Sequence, residues 1–401
     1  MPASLPDGDP APPGGELPAG ALRDLAETPF AVYVHVPFCR SRCGYCDFNT
    51  YVAGELTGFA TTGYADSLIA ELELARRVLP GAPEVATVFF GGGTPTMLPV
   101  ADLSRILQAI RDRFGLAAEA EVTTEANPET VTPESLAQLR EAGFSRVSLG
   151  MQSAVPHVLA TLDRVHTRDR ALAAAEWARQ AGFEHVSLDL IYGTPGETLA
   201  DWQQSLAAVT SAPVDHVSAY SLTVEPGTRL AMQVRRGELA TPDDDELADK
   251  YLQAEKHLSA AGFANYEISN WARDVAARCR HNLLYWQGAN WWGAGPGAHS
   301  HIGGVRFWNR KHPRAWADRL AQRQSPAQGR ETLTPQQRRI ERVLLELRLA
   351  EGLPLAVLTE TEQARLDEFV AAGLAQVAAD RLVLTLPGRL LADGLVRDLL
   401  D

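Results

Sequence analysis

From residue 31 onward, short runs of β-branched and apolar residues alternate with stretches in which hydrophobic positions recur every three to four residues. The runs predict strands at Ala31–Val36, Ala86–Phe90, Glu121–Glu125, Arg146–Gly150, His185–Ile191 and Asp215–Tyr220. Helices are expected between them, among others Tyr64–Leu79, Asp102–Phe114 and Pro133–Ala142. The last has a complete set of boundary signals, with Thr132 as N-cap, Pro133 at the first helical position and Gly143 as a stop. Six successive βα units predict an α/β fold, a partial TIM-like (β/α)6 barrel in preference to a doubly wound sheet, which periodicity alone leaves open. In either arrangement a ligand site belongs at the carboxyl ends of the strands.

After about residue 230 the rhythm fades, and a Trp-rich stretch runs from Trp271 to Trp308. From about residue 330 two helical segments, Pro335–Leu349 and Glu360–Ala372, precede a hairpin at Ala375–Val377 and Arg381–Thr385 and a last short helix. Helices followed by a hairpin predict a small α+β winged-helix-like module; with no basic face, it is expected to pack or to bind a partner. The expected organisation is therefore a disordered tail over 1–28, a barrel over 29–230, an accessory region over 231–328 and the C-terminal module over 329–401. No repeat of 20–50 residues is present.

Composition narrows the class. The 401 residues are 45% hydrophobic and 22% charged, as in a globular protein, and no apolar run reaches the length of a membrane span. A formal charge of −13 repels polyanions and argues against a nucleic-acid partner in the absence of a basic patch. The first 28 residues are rich in Pro, Gly, Ala and acidic groups and have no basic start followed by an apolar core, so a cytoplasmic protein is expected.

Three of the four cysteines, Cys39, Cys43 and Cys46, fall within eight positions, directly after the first predicted strand. That crowding does not resemble the scattered pairs of a disulfide framework and points to a metal site. Arg40 and Arg42 are expected to lower the thiol pKa values and offset the charge of a thiolate-bound cluster. A structural zinc site completed by His35 is the plainer alternative, although no second Cys/His pair is present at knuckle spacing. The second strand runs into Gly91-Gly92-Gly93-Thr94, whose missing side chains would let a ligand approach the backbone. Glu125, Gln152 and Asp189 stand at or near the ends of the third, fourth and fifth strands. Each alone reads as a solvated loop residue; together with the cysteines and glycines they describe one pocket on one rim.

The Cys-x3-Cys-x2-Cys spacing resembles the signature of the radical SAM superfamily, and the segments together resemble its coproporphyrinogen III oxidase-like branch over nearly all of residues 30–400. The resemblance implies a radical SAM barrel with a 4Fe-4S cluster on Cys39, Cys43 and Cys46, and with S-adenosyl-L-methionine (SAM) chelating the fourth iron. It implies SAM contacts from Tyr33, Gly92, Glu125, Gln152, Arg164 and Asp189, while Gly93, Thr94 and Tyr45 match positions that serve a second SAM in the anaerobic oxidase.

Two readings follow within that branch. The oxygen-independent coproporphyrinogen III oxidase has a further cysteine two residues beyond the third ligand, where this chain has Phe48, and a longer substrate-contacting N-terminal segment. HemW-type heme chaperones have a His-Asn-x-x-Tyr-Trp marker, present here as His281-Asn282-Leu283-Leu284-Tyr285-Trp286. On a helix His281 and Tyr285 would share a face, Trp271, Trp286, Trp291 and Trp292 would supply flat apolar surface, and Cys279 is a second candidate ligand for heme. The plain alternative for this stretch is buried core. The resemblance favours the heme chaperone, with heme and a heme-acceptor protein, in the membrane or outside it, as partners. A flavodoxin- or ferredoxin-like electron donor is implied if SAM is cleaved, and cleavage itself is left open. A nucleic-acid-modifying radical SAM protein is the third reading, disfavoured by charge.

Overall fold

The computed structural model describes residues 8–400 apart from residues 57, 58 and 60. Its strands are β1 (Asp9–Pro10), β2 (Phe30–Val36), β3 (Val85–Gly92), β4 (Leu116–Ala126), β5 (Arg146–Gln152), β6 (His185–Tyr192), β7 (His216–Ser221), β8 (Ala264–Glu267), β9 (Asn270–Ala272), β10 (Asn290–Ala294), β11 (His299–Ile302), β12 (Val305–Asn309) and β13 (Ala327–Thr332). These thirteen form one sheet in the order β1-β13-β12-β11-β10-β2-β3-β4-β5-β6-β7-β9-β8. Strands β2 to β7 are parallel and neighbour one another in sequence order, which is the expected six-unit α/β barrel.

The period-two alternation of β2 decides its two faces. Val32, Val34 and Val36 are fully buried in the layer between sheet and helices, while Tyr33 and His35 line the central cavity. The helix Val100–Phe114 meets that layer with a stripe at helical spacing, Leu103, Ile106, Leu107, Ile110 and Phe114, all buried. Each such side chain stabilises the fold by about 1.5–3 kcal/mol through burial. The helix Pro133–Glu141 starts as expected, with the Thr132 hydroxyl accepting from Ser135 N at 3.2 Å.

Residues 231–328 do not stand apart from the barrel: they extend its sheet at both edges. Strands β9 and β8 add antiparallel beyond β7, and β10 adds parallel to β2, followed by the antiparallel β11, β12 and β13. A buried carboxylate ties these edges to the first half. Glu71, on the helix Tyr64–Val78, accepts from Gly295 N (2.8 Å), Trp316 Nε1 (2.7 Å) and Asn309 Nδ2 (2.6 Å), and burial pushes its pKa up to about 7.

The expectation of a disordered tail over 1–28 is corrected from Gly8 onward; Met1–Asp7 lie outside the described residues. Strand β1 pairs with β13, Ser325 N donates to Pro13 O at 2.6 Å, and Ala21 and Leu25 are buried in the main core. Proline is tolerated on an edge strand, where its missing N–H costs no ladder bond, so a Pro-rich segment can still be held in place.

The C-terminal module has its own core, which includes Val343, Leu347, Leu366, Phe369, Leu382 and Leu395. Its first helix is Pro335–Glu346; the segment expected as one helix over 360–372 is two, Glu360–Gln363 and Leu366–Ala371. A hairpin of β15 (Ala375–Ala378) and β16 (Arg381–Leu384) pairs with the short β14 (Leu353–Pro354). No helix among the described residues is long and apolar enough to cross a membrane.

Candidate functional site

The three clustered cysteines stand in the loop at the carboxyl end of β2 and line a cavity of about 880 Å³ inside the barrel, together with Tyr33, Tyr45, Gly92, Gly93, Thr94, Glu125, Gln152, Arg164 and Asp189. Every residue expected around SAM therefore faces one space. The cysteine loop is pinned by backbone bonds, Cys39 N to Tyr51 O (3.0 Å) and Cys46 N to Cys43 O (3.2 Å). The glycine segment is fastened beneath it, Gly93 N donating to Val36 O and Thr94 N to Phe38 O, both at 2.8 Å. A Cβ on Gly93 would come within 2.6 Å of Phe38 O and 2.9 Å of Cys39 Sγ, so only glycine permits this approach.

The electrostatic partner of the thiols is not the one expected. Arg42 turns away to Glu55 (2.8 Å) and the Thr50 carbonyl. The guanidinium that reaches the site comes from Arg164, whose Nη1 donates to Cys43 Sγ at 3.4 Å and whose Nη2 donates to Gly150 O at 3.0 Å; its Nε is buried without a partner. Contrary to the lowered thiol pKa values expected from Arg40 and Arg42, burial pushes the Cys39 thiol up to about 11 and raises Cys46 as well. His35 is a poor completion for zinc. Its Nδ1 faces Tyr33 OH and its Nε2 faces Asn49 O, each at 3.0 Å. Burial also holds it neutral, its pKa lowered to about 4. Among the described residues no three His, Cys, Asp or Glu side chains gather around a single ion position. Three thiols around one cavity, a glycine cradle against Cys39 and an unsatisfied Arg164 nitrogen fit an anionic iron–sulfur cluster.

Two carboxyls face each other deeper in the rim. Glu125 Oε2 accepts from Gly92 N at 3.1 Å, and burial followed by repulsion from Asp189 pushes its pKa up to about 8. Asp189 accepts from Ser148 Oγ at 2.8 Å and Ser187 Oγ at 3.3 Å; burial raises it too. Two buried carboxyls, both with raised pKa values, suit the amine of a zwitterionic ligand. Gln152, beside them at the end of β5, has φ +65°, a left-handed conformation uncommon for a non-glycine residue and found preferentially at functional sites.

The His-Asn-x-x-Tyr-Trp segment forms the helix Arg280–Trp286, which lies over the amino-terminal half of the barrel strands. Glu121 and Arg146 hold it there. Glu121 accepts from Arg146 Nε (3.1 Å), Arg280 N (3.2 Å) and His281 N (3.0 Å), while Arg146 Nη2 donates to Ala277 O (2.6 Å) and Arg278 O (3.0 Å). The carboxylate thus neutralises a buried guanidinium and satisfies the helix's first N–H groups at once.

His281 and Tyr285 share a face as expected and both line the cavity, but His281 is committed: Nδ1 to Thr87 Oγ1 at 2.7 Å and Nε2 to Tyr285 OH at 2.9 Å. Its ring stacks on Phe89 at 5.1 Å, and burial lowers its pKa to about 4. Cys279 also borders the cavity, yet its thiol points to Glu121 Oε1 at 3.7 Å, and burial with that carboxylate beside it disfavours the thiolate a heme ligand requires. Trp286 lies outside the cavity lining and serves Glu267 as a hydrogen-bond donor.

Of the four tryptophans expected to offer flat surface, only Trp291 lines the cavity. Its strand neighbour Trp292 points into the outer core against Phe307, and Trp271 is fully buried with its Nε1 on Glu255. Strand alternation separates the adjacent pair. Sequence reasoning missed His299, Thr87, Arg146 and Glu121, which border or shape the cavity from four different strands of the sheet, β11, β3, β5 and β4; their inward phase on the strands was the available signal.

The model of the radical SAM superfamily matches residues 33–209. The chain is 56% identical over 385 residues to the heme chaperone HemW of Mycobacterium tuberculosis, covering 96% of this chain and 98% of that protein. To the heme chaperone HemW of a Synechocystis species it is 38% identical, covering 84% and 83%. The solved coproporphyrinogen III oxidase (HemN) of Escherichia coli superposes with a TM-score of 0.81 at 24% identity, over 94% of this chain and 92% of that one, a likeness of fold. With that breadth of sequence identity and the cysteine-bearing barrel rim in hand, the chain belongs to the heme chaperone HemW family of the radical SAM superfamily.

Proposed function

We propose that this protein is a cytoplasmic heme chaperone that holds heme inside the barrel cavity and delivers it to an acceptor protein. The observation that carries the reading is the match to relatives named heme chaperone HemW, which runs the length of the chain and takes in barrel, sheet extensions and C-terminal module alike. The cavity supports it physically. At about 880 Å³ it lies near the upper end of ligand sites, and aromatic side chains of Tyr33, Phe89, Tyr285 and Trp291 line it. Such walls suit a flat apolar macrocycle. Phe48, half exposed beside the cluster loop, stands where the oxidase has its additional cysteine, which sets this chain apart from that enzyme.

In the rim, Cys39, Cys43 and Cys46 would hold the cluster, with Arg164 offsetting its charge. Tyr33, Gly92, Glu125, Gln152 and Asp189 would hold SAM, and Tyr45, Gly93 and Thr94 line the part of the rim next to the cysteines. When bound, a cluster with one open iron coordinates SAM and supplies it with an electron if a flavodoxin- or ferredoxin-like donor is engaged. Glu125 and Asp189 would orient the cationic end of SAM. His281 and Tyr285 would form the floor beneath the macrocycle.

The test is hemin titration of the anaerobically reconstituted full chain, followed by mixing with an apo-acceptor and, separately, with coproporphyrinogen III. Saturable one-to-one binding, transfer to the acceptor and no protoporphyrinogen are expected. Absence of any heme-dependent Soret change would overturn the reading, and protoporphyrinogen formation would replace it with the oxidase.

A further inference from the structure

Four imidazoles line the barrel cavity: His35, His216, His281 and His299. An imidazole coordinates iron through a ring nitrogen whose lone pair is free, with the other nitrogen free to carry the proton. Three of the four are already spent. His35 is held between Tyr33 and Asn49, His281 between Thr87 and Tyr285, and His216 between Ser187 Oγ (2.8 Å) and Tyr266 OH (2.7 Å). Each of these would have to surrender a buried hydrogen bond to reach a metal, at a cost comparable to the unsatisfied partner left behind.

His299 is different. It opens β11, across from Trp308 of β12, and its ring lies 6.0 Å from that indole in a stacked arrangement, with no hydrogen bond to either nitrogen among the described residues. Its backbone is fixed on both sides: Trp291 Nε1 donates to His299 O at 2.9 Å, and the chain crosses Gly293 so closely that a Cβ there would lie 2.1 Å from that oxygen. The ring is therefore positioned by its backbone and by stacking, with both nitrogens available. Burial, together with the nearby cations of Lys311 and Arg306, holds it neutral, its pKa lowered to about 4. A neutral, positioned imidazole with a lone pair that no hydrogen bond consumes, beside Trp291, can serve as an axial ligand for a metalloporphyrin.

Resting on the heme-chaperone reading, we infer that His299 is the axial ligand of heme iron in this protein, with His281 a hydrogen-bonded wall residue. The ring nitrogen of His299 donates its lone pair to the ferric iron, and the other nitrogen keeps the proton. The marker helix then positions Tyr285 and the cavity floor without binding the metal.

The experiment is hemin titration of the cluster-reconstituted full chain, read by Soret position and by the low-spin ferric signal in electron paramagnetic resonance, with cluster absorbance as the control for folding. His299→Ala is expected to weaken hemin at least about tenfold and to remove the histidine-ligated signature, and His281→Ala to weaken it by a smaller factor. His299→Gly with added imidazole is expected to regain the wild-type spectrum, because the vacated space admits the free ring. Full retention of spectrum and affinity in His299→Ala, or no recovery of His299→Gly with imidazole, overturns the assignment. A wild-type chain without saturable hemin binding overturns the chaperone reading itself, a result the variants cannot mimic.

Discussion

Replacing Glu121 with Gln removes one charge from the most deeply buried ion pair of the barrel while preserving side-chain shape. In the native chain Glu121 and Arg146 are both almost fully buried, 3.1 Å apart, and the carboxylate also accepts from the first two N–H groups of the helix Arg280–Trp286. Burial acts to raise the Glu121 pKa, but Arg146 and the two backbone donors outweigh it and hold the group below its ordinary value. Arg146 already has one buried nitrogen, Nη1, without a partner. With Gln at 121 the guanidinium becomes an uncompensated buried cation, and breaking such a pair from one side costs about 3–5 kcal/mol. Glu121→Gln/Arg146→Met, which removes both charges, should cost less than Glu121→Gln alone, with a coupling of at least about 1 kcal/mol. The sign with pH follows from the depressed pKa: the stabilisation is complete above the unfolded carboxyl's pKa and is lost as pH falls through the folded value, so parent and variant should converge in acid. Urea unfolding of the ligand-free chain, followed by circular dichroism at neutral and acidic pH, measures the difference. Amide exchange over 280–286 reports whether the marker helix loosens first. A Gln variant within about 1 kcal/mol of the parent at neutral pH would refute the role given to this pair.

The raised pKa of Glu125, about 8 against an ordinary 4.5, means that the ligand-free fold binds its proton more tightly than the unfolded chain does. Stability should therefore fall as pH rises between those values, and Glu125→Gln should flatten the slope, with Glu71 and Glu267, both raised to about 7, leaving a remainder. Parallel urea midpoints for parent and variant across that window would sink the idea. For the same reason SAM, bringing a cation next to Glu125 and Asp189, should release close to one proton per chain at neutral pH. Calorimetry in two buffers of different ionisation heat detects it, and a heat independent of buffer contradicts it. Gly93→Ala places a methyl 2.9 Å from Cys39 Sγ and 2.6 Å from a backbone carbonyl. Overpacking of about 1–3 kcal/mol is expected at that point, with lower iron and sulfide content after reconstitution and little change in overall helicity. Iron content equal to the parent's would show that the loop yields freely.

The sequence by itself determined the six parallel strands, because alternation of faces and helix boundaries such as Thr132-Pro133 are local signals, and each observed strand begins or ends within a few residues of its expected place. It also singled out the three clustered thiols: three cysteines within eight positions after a strand need no long-range information to be recognised, and a strand's carboxyl end fixes which rim they occupy. Tertiary structure alone decided the rest. Whether residues 231–328 form a separate region or further strands of the same sheet depends on pairing between positions hundreds of residues apart, such as Trp291 with Ala31 and Arg330 with Asp9. Likewise Arg164, not the neighbouring Arg42, reaches the thiols because β5 and the helix after it carry it back over Cys43. His281, the residue a motif singles out, is tied up by Thr87 from a distant strand, whereas His299, which no motif marks, has no hydrogen bond to its ring nitrogens among the described residues. Local patterns set which groups the chain possesses; the hydrogen-bond partner that consumes or spares each one is set by contacts across the fold, which a one-dimensional pattern does not encode.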